Sequence, residues 1–263
     1  MKKTKITLIF MLTISIFVTS CKEKINIFSI QDDVAFGAQF DEEIRNGGQF
    51  VILSETTYSE AYRTINQYKD KILSTGKVAH TNDFVWKVRI IKDDNTVNAF
   101  AVPGGYLYFY TGLIKVLDNE AEFVGVLAHE MAHVARRHST AQLTKVYGLD
   151  LMLGMLLGKN SNQWVNIAAD LASGLVALKF SRNDEFEADK YAVDYTYATD
   201  WDARGVADFF KKLDSHSPTP VFLSTHPADK DRIAAVNKEW EALGGKQGQY
   251  FKDEYRQFIN SLP

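Results

Sequence analysis

Apolar residues along this chain recur at two different periods, and the change of period divides it. Residues 30–46 show helical spacing, with Asp32 or Asp33 placed to begin the helix. A second helix is predicted from Thr57 to Leu73, where Ala61, Ile65, Tyr68 and Ile72 return at three- and four-residue steps and Gly76 follows as a stop. Residues 84–92 then alternate and are rich in β-branched and aromatic side chains, which predicts a strand. Asp93-Asp94-Asn95 reads as the turn of a hairpin whose partner is Val97 to Val102. Pro103-Gly104 suits a type II turn, and in the following Tyr106 to Tyr110 three tyrosines share one face while Leu107 and Phe109 share the other. From residue 119 onward the pattern is helical, with segments near 119–139, 141–158, 164–179, 183–198, 204–213 and 229–243. No internal repeat is found. These elements predict an α+β fold, with a small sheet from residues 84–110 beside a mostly helical body and a cleft between them. The apolar stretches Leu149 to Gly158 and Trp164 to Leu178 are read as buried core helices. The first is only about ten residues long, short of a spanning helix, and the second contains Asn166 and Asp170.

The amino terminus follows another pattern. Lys2, Lys3 and Lys5 precede an apolar run from Ile6 to Val18, which is the form of an export signal and too short to span a membrane. The run ends in Val18-Thr19-Ser20-Cys21, which resembles the lipobox of bacterial lipoproteins. The expected organisation is a signal peptide over residues 1–20, a tether over 21–27 beginning at an acylated, palmitate-bearing Cys21, and one domain over 28–263. The expected location is the bacterial cell envelope, lipid-anchored at the outer membrane and facing the periplasm. Removing residues 1–20 takes away three lysines and no acid, so the formal net charge moves from −3 to −6. Acyl chains would therefore anchor the protein without help from a polybasic patch, each buried methylene contributing about 0.8 kcal/mol.

Composition narrows the chemistry. The 263 residues, 46% of them hydrophobic, can bury one good-sized core. Basic residues are scattered at a net charge of −3, so no nucleic-acid footprint is present. With Cys21 the single cysteine, neither a disulfide framework nor a cysteine-based zinc site can be built, and any metal must be held by His and carboxylates.

Such a set occurs in the helix of residues 119–138, which carries His129-Glu130-Met131-Ala132-His133. Asn119 and Glu122 have capping-box spacing, and Arg136 and Arg137 lie near the end, where positive charge is favoured. His129 and His133 are four residues apart, so both rings lie on one face with Cβ atoms about 5–6 Å apart, close enough to share one zinc ion. Glu130, one step round the helix, can act as general base on the hydrolytic water without taking a coordination position. A catalytic zinc usually has three protein ligands. Glu185 and Asp189 share a helical face farther along, Glu185 as the third ligand and Asp189 as the group that orients a ligand histidine through its other ring nitrogen. In an apolar helix, two imidazoles and a carboxylate without a metal would carry a large desolvation cost. His80, His138 and His216 lack ligand spacing to this pair and are read as surface or packing residues, and Glu187 points away from the face of Glu185.

Four pieces of the chain together resemble a known family, the zinc metallopeptidases that include the CAAX prenyl endopeptidases and HtpX-like heat-shock proteases. They are Asn98-Ala99-Phe100-Ala101-Val102-Pro103-Gly104-Gly105, Val126 to His133, Ser181-Arg182 with Glu185 to Asp189, and Ser224-Thr225-His226-Pro227 with Arg232-Ile233. The resemblance covers residues 30–240 and implies a zincin-like domain, one zinc held by His129, His133 and Glu185, Glu130 as base, and protein or peptide substrates. Asp200-Trp201 stands where members often have Gly-Tyr, and Ala192 where glycine is common; neither position touches the chemistry. Integral-membrane members have long spanning helices that are not found here, so the chain resembles the soluble exported branch.

The expected reaction is attack of zinc-activated water on a peptide carbonyl, with Glu130 taking the proton and delivering it to the leaving amine. Asn98 to Val102, including Ala99, Phe100 and Ala101, are expected to form an edge strand that pairs with extended substrate. The resemblance places His226 near the cleft, facing zinc from outside the ligand set, as an oxyanion donor, a latch on the open position, or a cap of the helix beginning near Asp229. The rival from another class is a zinc-stabilised binding or assembly factor for envelope proteins that does not cut them. Hydrolysis of a small amide is a third reading.

Overall fold

The computed structural model describes residues 26–159, 162–173, 179–214, 220–227 and 230–263. The expected export signal, Cys21, most of the tether, His216 and the ends of the segments predicted over 164–179 and 229–243 lie outside them.

Three strands, β1 (Lys87–Ile91), β2 (Ala99–Val102) and β3 (Tyr106–Tyr110), form a sheet in the order β1-β3-β2. β1 runs parallel to β3 from Lys87↔Tyr106 to Ile91↔Tyr110, and β2 runs antiparallel from Ala99↔Phe109 to Val102↔Tyr106. The hairpin expected between residues 84–92 and 97–102 is therefore not formed, because β3 lies between them. Two local features explain the difference. The Asp93 carboxylate accepts from Asn95 N at 2.9 Å and Thr96 Oγ1 at 2.6 Å, bending the chain away from β1. Pro103-Gly104-Gly105 instead folds β2 onto β3, with Gly104 at φ 76°, ψ 1°, the third-residue geometry of a type II turn. A Cβ on Gly104 would also lie 2.7 Å from Asp33 O, so the turn needs glycine twice over.

Strand alternation divides the core. Phe100, Val102, Tyr108 and Tyr110 join one cluster, with Phe36, Phe40 and Ile44 of α1 (Ile30–Asn46) and Trp164 and Ile167 of a later helix (Asn162–Ser173). Ala99, Ala101, Leu107 and Phe109 face the larger cluster, which also takes Ile65 and Ile72 of α2 (Ser59–Ser74). α1 covers the expected residues 30–46, but Asp32 and Asp33 lie inside its first turn rather than opening it. Ser29 is its cap, accepting from Asp32 N, and the Asp32 carboxylate returns a bond to Ser29 N at 2.7 Å. A short α3 (Thr111–Val116) then leads to α4 (Glu120–Ala135), every residue of which is buried.

α4 is the axis of the molecule. Its first turn is tied by Asn119 Oδ1 to Glu122 N at 3.0 Å, while the Glu120 carboxylate accepts from Tyr68 OH and Trp201 Nε1, both at 2.7 Å. It packs against α8 (Arg182–Tyr197) and α9 (Gly205–Asp214). The α4–α9 crossing is backbone to backbone, since a Cβ on Gly205 would lie 1.9 Å from Ala121 O and one on Gly125 2.3 Å from Val206 N.

The segment predicted over 141–158 is two helices, α5 (His138–Tyr147) and α6 (Leu149–Leu156), broken at Gly148 with φ 84°, ψ 152°. α6 buries Met152 and Met155 but exposes Leu149 and Leu153, so it is half-buried rather than a full core helix. Asn162–Ser173 is α7. Among the described residues no helix is long and apolar enough to cross a membrane. After α9 come a single turn, α10 (Phe222–Thr225), then α11 (Lys230–Ala242) and α12 (Lys252–Asn260). α12 was not foreseen; it buries Tyr255 and Phe258, and Tyr255 OH donates to Ile114 O at 2.7 Å.

Candidate metal centre

α4 supplies His129, Glu130 and His133, and α8 supplies Glu185 and Asp189 from its first two turns. α8 is set by a capping box in which Ser181 accepts from Asp184 N and the Asp184 carboxylate accepts from Ser181 N at 3.1 Å. His226 ends α10, its backbone N donating to Phe222 O at 2.9 Å. None of these site residues is more than 1% exposed.

The donors converge. His129 Nε2 lies 3.1 Å from His133 Nε2 and 3.6 Å from Glu185 Oε2, and His133 Nε2 lies 3.6 Å from Glu185 Oε1. His226 Nδ1 is 3.0 Å from Glu185 Oε1 and 3.4 Å from His129 Nε2. One ligand atom from each of the four residues fits within 4.8 Å of all the others. Donors about 2.0–2.1 Å from a tetrahedral zinc stand roughly 3.3 Å apart, so these separations suit one zinc ion. Charge points the same way: three buried carboxylates, Glu130, Glu185 and Asp189, surround one buried guanidinium, Arg232. A dication cancels the remaining two charges. Glu130 Oε1 is buried with no hydrogen-bond partner among the described residues, 3.6 Å from His226 Nε2. That is the placement of a group reserved for something that binds there.

Asp189 Oδ1 stands 2.9 Å from His129 Nδ1 and so faces the nitrogen turned away from the other donors. Arg232, a residue to which the sequence assigned no role, holds Asp189 through Nε at 2.6 Å and Nη2 at 2.7 Å, and its Nη1 lies 2.7 Å from Glu185 Oε2. His138 was read as a surface or packing residue apart from the metal site. It is 3% exposed, and its Nδ1 lies 3.1 Å from His133 Nδ1. Glu187 does face away from Glu185, toward His138 and Arg136. His80 meets Asp83 at 3.0 Å and takes no part.

Burial shapes the titration of the metal-free site. It raises the pKa of Glu130, which makes that carboxylate a stronger base than an exposed one. Burial and the neighbouring imidazoles hold His133 well below 6.5, leaving it neutral as a ligand must be. Burial opposes the charge of Glu185, but His226 and Arg232 outweigh it and keep the carboxylate ionised.

β2 lies at the sheet edge, beside α4. Because Tyr110 N donates to Asn98 O, ladder alternation turns Phe100 toward β3 and directs the main-chain groups of Ala99 and Ala101 to the open side. On that side Phe222 N donates to Val97 O at 3.1 Å and Ser139 Oγ to Ala101 O at 3.2 Å. The site and the strand edge are thus linked through the α10 segment.

A His-Glu-x-x-His helix facing a glutamate from a second helix, on a mostly helical α+β scaffold, is the donor arrangement of gluzincin-type zinc metallopeptidases. The chain belongs to peptidase family M48, whose sequence pattern matches residues 62–240, about two thirds of its length. It is similar to a putative beta-barrel assembly-enhancing protease of Vibrio cholerae, 29% identical over 71% of this chain and 44% of the relative. It is also similar to the mitochondrial metalloendopeptidase OMA1 of Schizosaccharomyces pombe, 29% identical over 62% of this chain and 49% of the relative. Metalloprotease YcaL of Escherichia coli is 31% identical over 57% of this chain and 60% of its own length. The chain spans about half the length of the relatives it matches.

Proposed function

We propose that this protein is a zinc endopeptidase of the bacterial cell envelope that hydrolyses peptide bonds in exported proteins as a quality-control enzyme. It is held by lipid on Cys21 and faces the periplasm at the outer membrane. The observation that carries the catalytic part is the buried ring of His129, His133 and Glu185 with the unpartnered Glu130 Oε1 beside it. The location rests on the signal-like residues 1–20 and the lipobox ending at Cys21. The substrate class is supported by the names of relatives described as assembly-enhancing proteases for β-barrels.

When bound, zinc supplies a Lewis acid that polarises the scissile carbonyl and lowers the pKa of water. The protein's own groups do the rest. Glu130 Oε1 receives the proton of the attacking water and passes it to the leaving nitrogen, a role its raised pKa favours at neutral pH. Asp189 and Arg232 fix the ring of His129. Ala99 and Ala101 offer main-chain groups to an extended substrate, and the neighbouring Asn98 and Phe100 hold the strand in register, so that binding reads backbone more than sequence.

His226 is assigned as a latch. Its ring stands within reach of the other donors, and its segment is bonded to the chain just ahead of the edge strand through Phe222 N and Val97 O. One movement of that segment would free both the metal and the strand. His226→Ala should raise basal peptidase activity; unchanged or lower activity would remove the latch from the account.

The central test compares envelope proteomes of cells carrying the intact protein and Glu130→Gln. Full-length exported proteins should accumulate in the variant while its zinc content stays normal. If none accumulates and purified Glu130→Gln behaves as the parent, the protein holds its clients without cutting them.

A further inference from the structure

We propose that His138 is a positioning residue for the metal centre, forming with Glu187 a relay that fixes the tautomer and orientation of His133. Helical spacing hides this role, since residues five apart on one helix do not share a face. The chain evades that limit at Arg137. This residue adopts the left-handed conformation, φ 60°, ψ 27°, between α4 and α5 and turns His138 back toward the helix it has just left. A non-glycine residue tolerates that conformation only when its surroundings hold it. Here the guanidinium of Arg137 is clamped by Asp33 Oδ2 at 2.6 Å and by the carbonyls of Phe28 and Ser29 at 2.5 and 3.1 Å.

The tautomers follow from the distances. His138 Nε2 lies 3.2 Å from Glu187 Oε2, a contact that calls for a proton on that nitrogen. With the Nε2 proton directed to Glu187, Nδ1 is the acceptor nitrogen of His138, 3.1 Å from His133 Nδ1. In this relay His133 carries its proton on Nδ1 and donates it, which leaves the lone pair of His133 Nε2 aimed at the other donors. The opposite assignment would set a bare His138 Nε2 against a carboxylate. Glu187 is itself held by Arg136 Nε at 2.7 Å, and Asp184 Oδ1 lies 3.8 Å from His138 Nε2. Phe180 stacks on the His133 ring at 3.9 Å and limits its rotation. The two helix ligands are thus matched, with His129 backed by Asp189 and Arg232, and His133 by His138, Glu187 and Arg136. Of these supporting groups the sequence pattern points only to Asp189.

The test measures zinc affinity by chelator competition, alongside urea unfolding of the zinc-free protein, for His138→Leu, His138→Asn and Glu187→Ala. His138→Leu leaves the His133 N–H without an acceptor and should weaken zinc binding by about 10–100-fold. His138→Asn can return an acceptor near the lost Nδ1 and should recover most of that loss. Glu187→Ala, which removes a partly exposed side chain, should weaken binding less and in the same direction. The inference rests on the zinc site itself, and the two can fail separately: a parent protein that binds no zinc would end the metal reading. Parent-like zinc affinity in both His138→Leu and Glu187→Ala, with only zinc-free stability reduced, would overturn the relay alone. So would equal loss in His138→Asn and His138→Leu. Should His138→Leu fail to fold, Glu187→Ala and His138→Asn decide the matter.

Discussion

Replacing Arg232 by methionine removes the one buried cation of the site. The side chain is 1% exposed, and its guanidinium meets Asp189 at 2.6 and 2.7 Å, Glu185 at 2.7 Å and Pro227 O at 2.9 Å. Methionine can fill the space over Phe210, whose ring centroid lies 4.2 Å from the guanidinium, but it returns none of these bonds. Asp189 and Glu185 are then left as buried negative charges. Breaking a buried pair from one side costs about 3–5 kcal/mol. In a chain of this size each kcal/mol moves Tm by about 2–4 °C, so the zinc-free protein should melt roughly 6–20 °C lower. Zinc compensates Glu185 when present, and the loss should be smaller in the zinc-saturated protein. Arg232→Lys keeps the charge but not the fork that grips Asp189 at two points, and it should fall between the parent and Arg232→Met. Urea unfolding with and without zinc measures all four quantities. The double variant Asp189→Asn/Arg232→Met should lose less than the sum of the single losses, because each removes the other's partner. A loss below about 1 kcal/mol in zinc-free Arg232→Met would refute the claim that this arginine neutralises the site.

Gly205→Ala drives a methyl group to 1.9 Å from Ala121 O. It should separate α9 from α4 at a cost of at least about 1–3 kcal/mol, measured by thermal unfolding; a parent-like Tm would contradict the close crossing. Asp41 accepts from Arg89, Arg45 and Tyr108, each at 2.8 Å, and although burial works to raise its pKa these partners bring it below the ordinary 3.8. Its stabilisation is therefore present above about pH 4 and lost as pH falls through the depressed native value. Asp41→Asn should cost about 1.5–3 kcal/mol at pH 7, and its deficit should shrink below about pH 4 in urea titrations. A pH-independent deficit would exclude the ionised carboxylate as the source.

Periodicity made α1, α2, α4 and α8 legible, because each buries one face or, for α4, all faces, and α1, α4 and α8 also open on a side chain that bonds the first turn. The same signals set His129, His133, Glu185 and Asp189 at steps of four, and the structure gathers these residues. What failed was pairing. Alternation in residues 84–92 announces a strand but does not name its neighbour, and the choice fell to a glycine turn that puts β3 between β1 and β2. α12 was missed because its nine residues bury only Tyr255 and Phe258, too few to stand out as a period. Arg232 enters the sequence only as part of the family resemblance, with no role of its own; its burial depends on acids more than forty residues earlier. His138 was set aside on helical spacing, which assumes that the helix continues, whereas a left-handed residue at Arg137 ends it.

The buried groups of the centre differ in how they are held, and that difference separates scaffold from moving part. His129 and His133 stand on a helix with every residue buried, and each has its outward ring nitrogen set against a partner from another element. Glu185 sits in the first turn of a capped helix and is faced by a buried arginine. Rotating any of these three breaks a polar contact outside the site as well as one within it, charge-assisted for His129 and Glu185. His226 is arranged differently. The contacts of its ring nitrogens, among the described residues, are with His129, Glu130 and Glu185, all members of the site, while its ring stacks on Phe222 and meets Phe180 at a tilt. It ends a four-residue helical turn tied to its surroundings by the main-chain bonds Phe222 N to Val97 O, just ahead of β2, and Phe180 N to Thr225 O. Moving it therefore breaks few bonds outside the centre, while those it leaves inside can be taken up by a substrate carbonyl and a water. A donor with most of its polar contacts inside the site is the one that can leave without disturbing the rest, which is why we propose the latch at His226 and not at a histidine of α4.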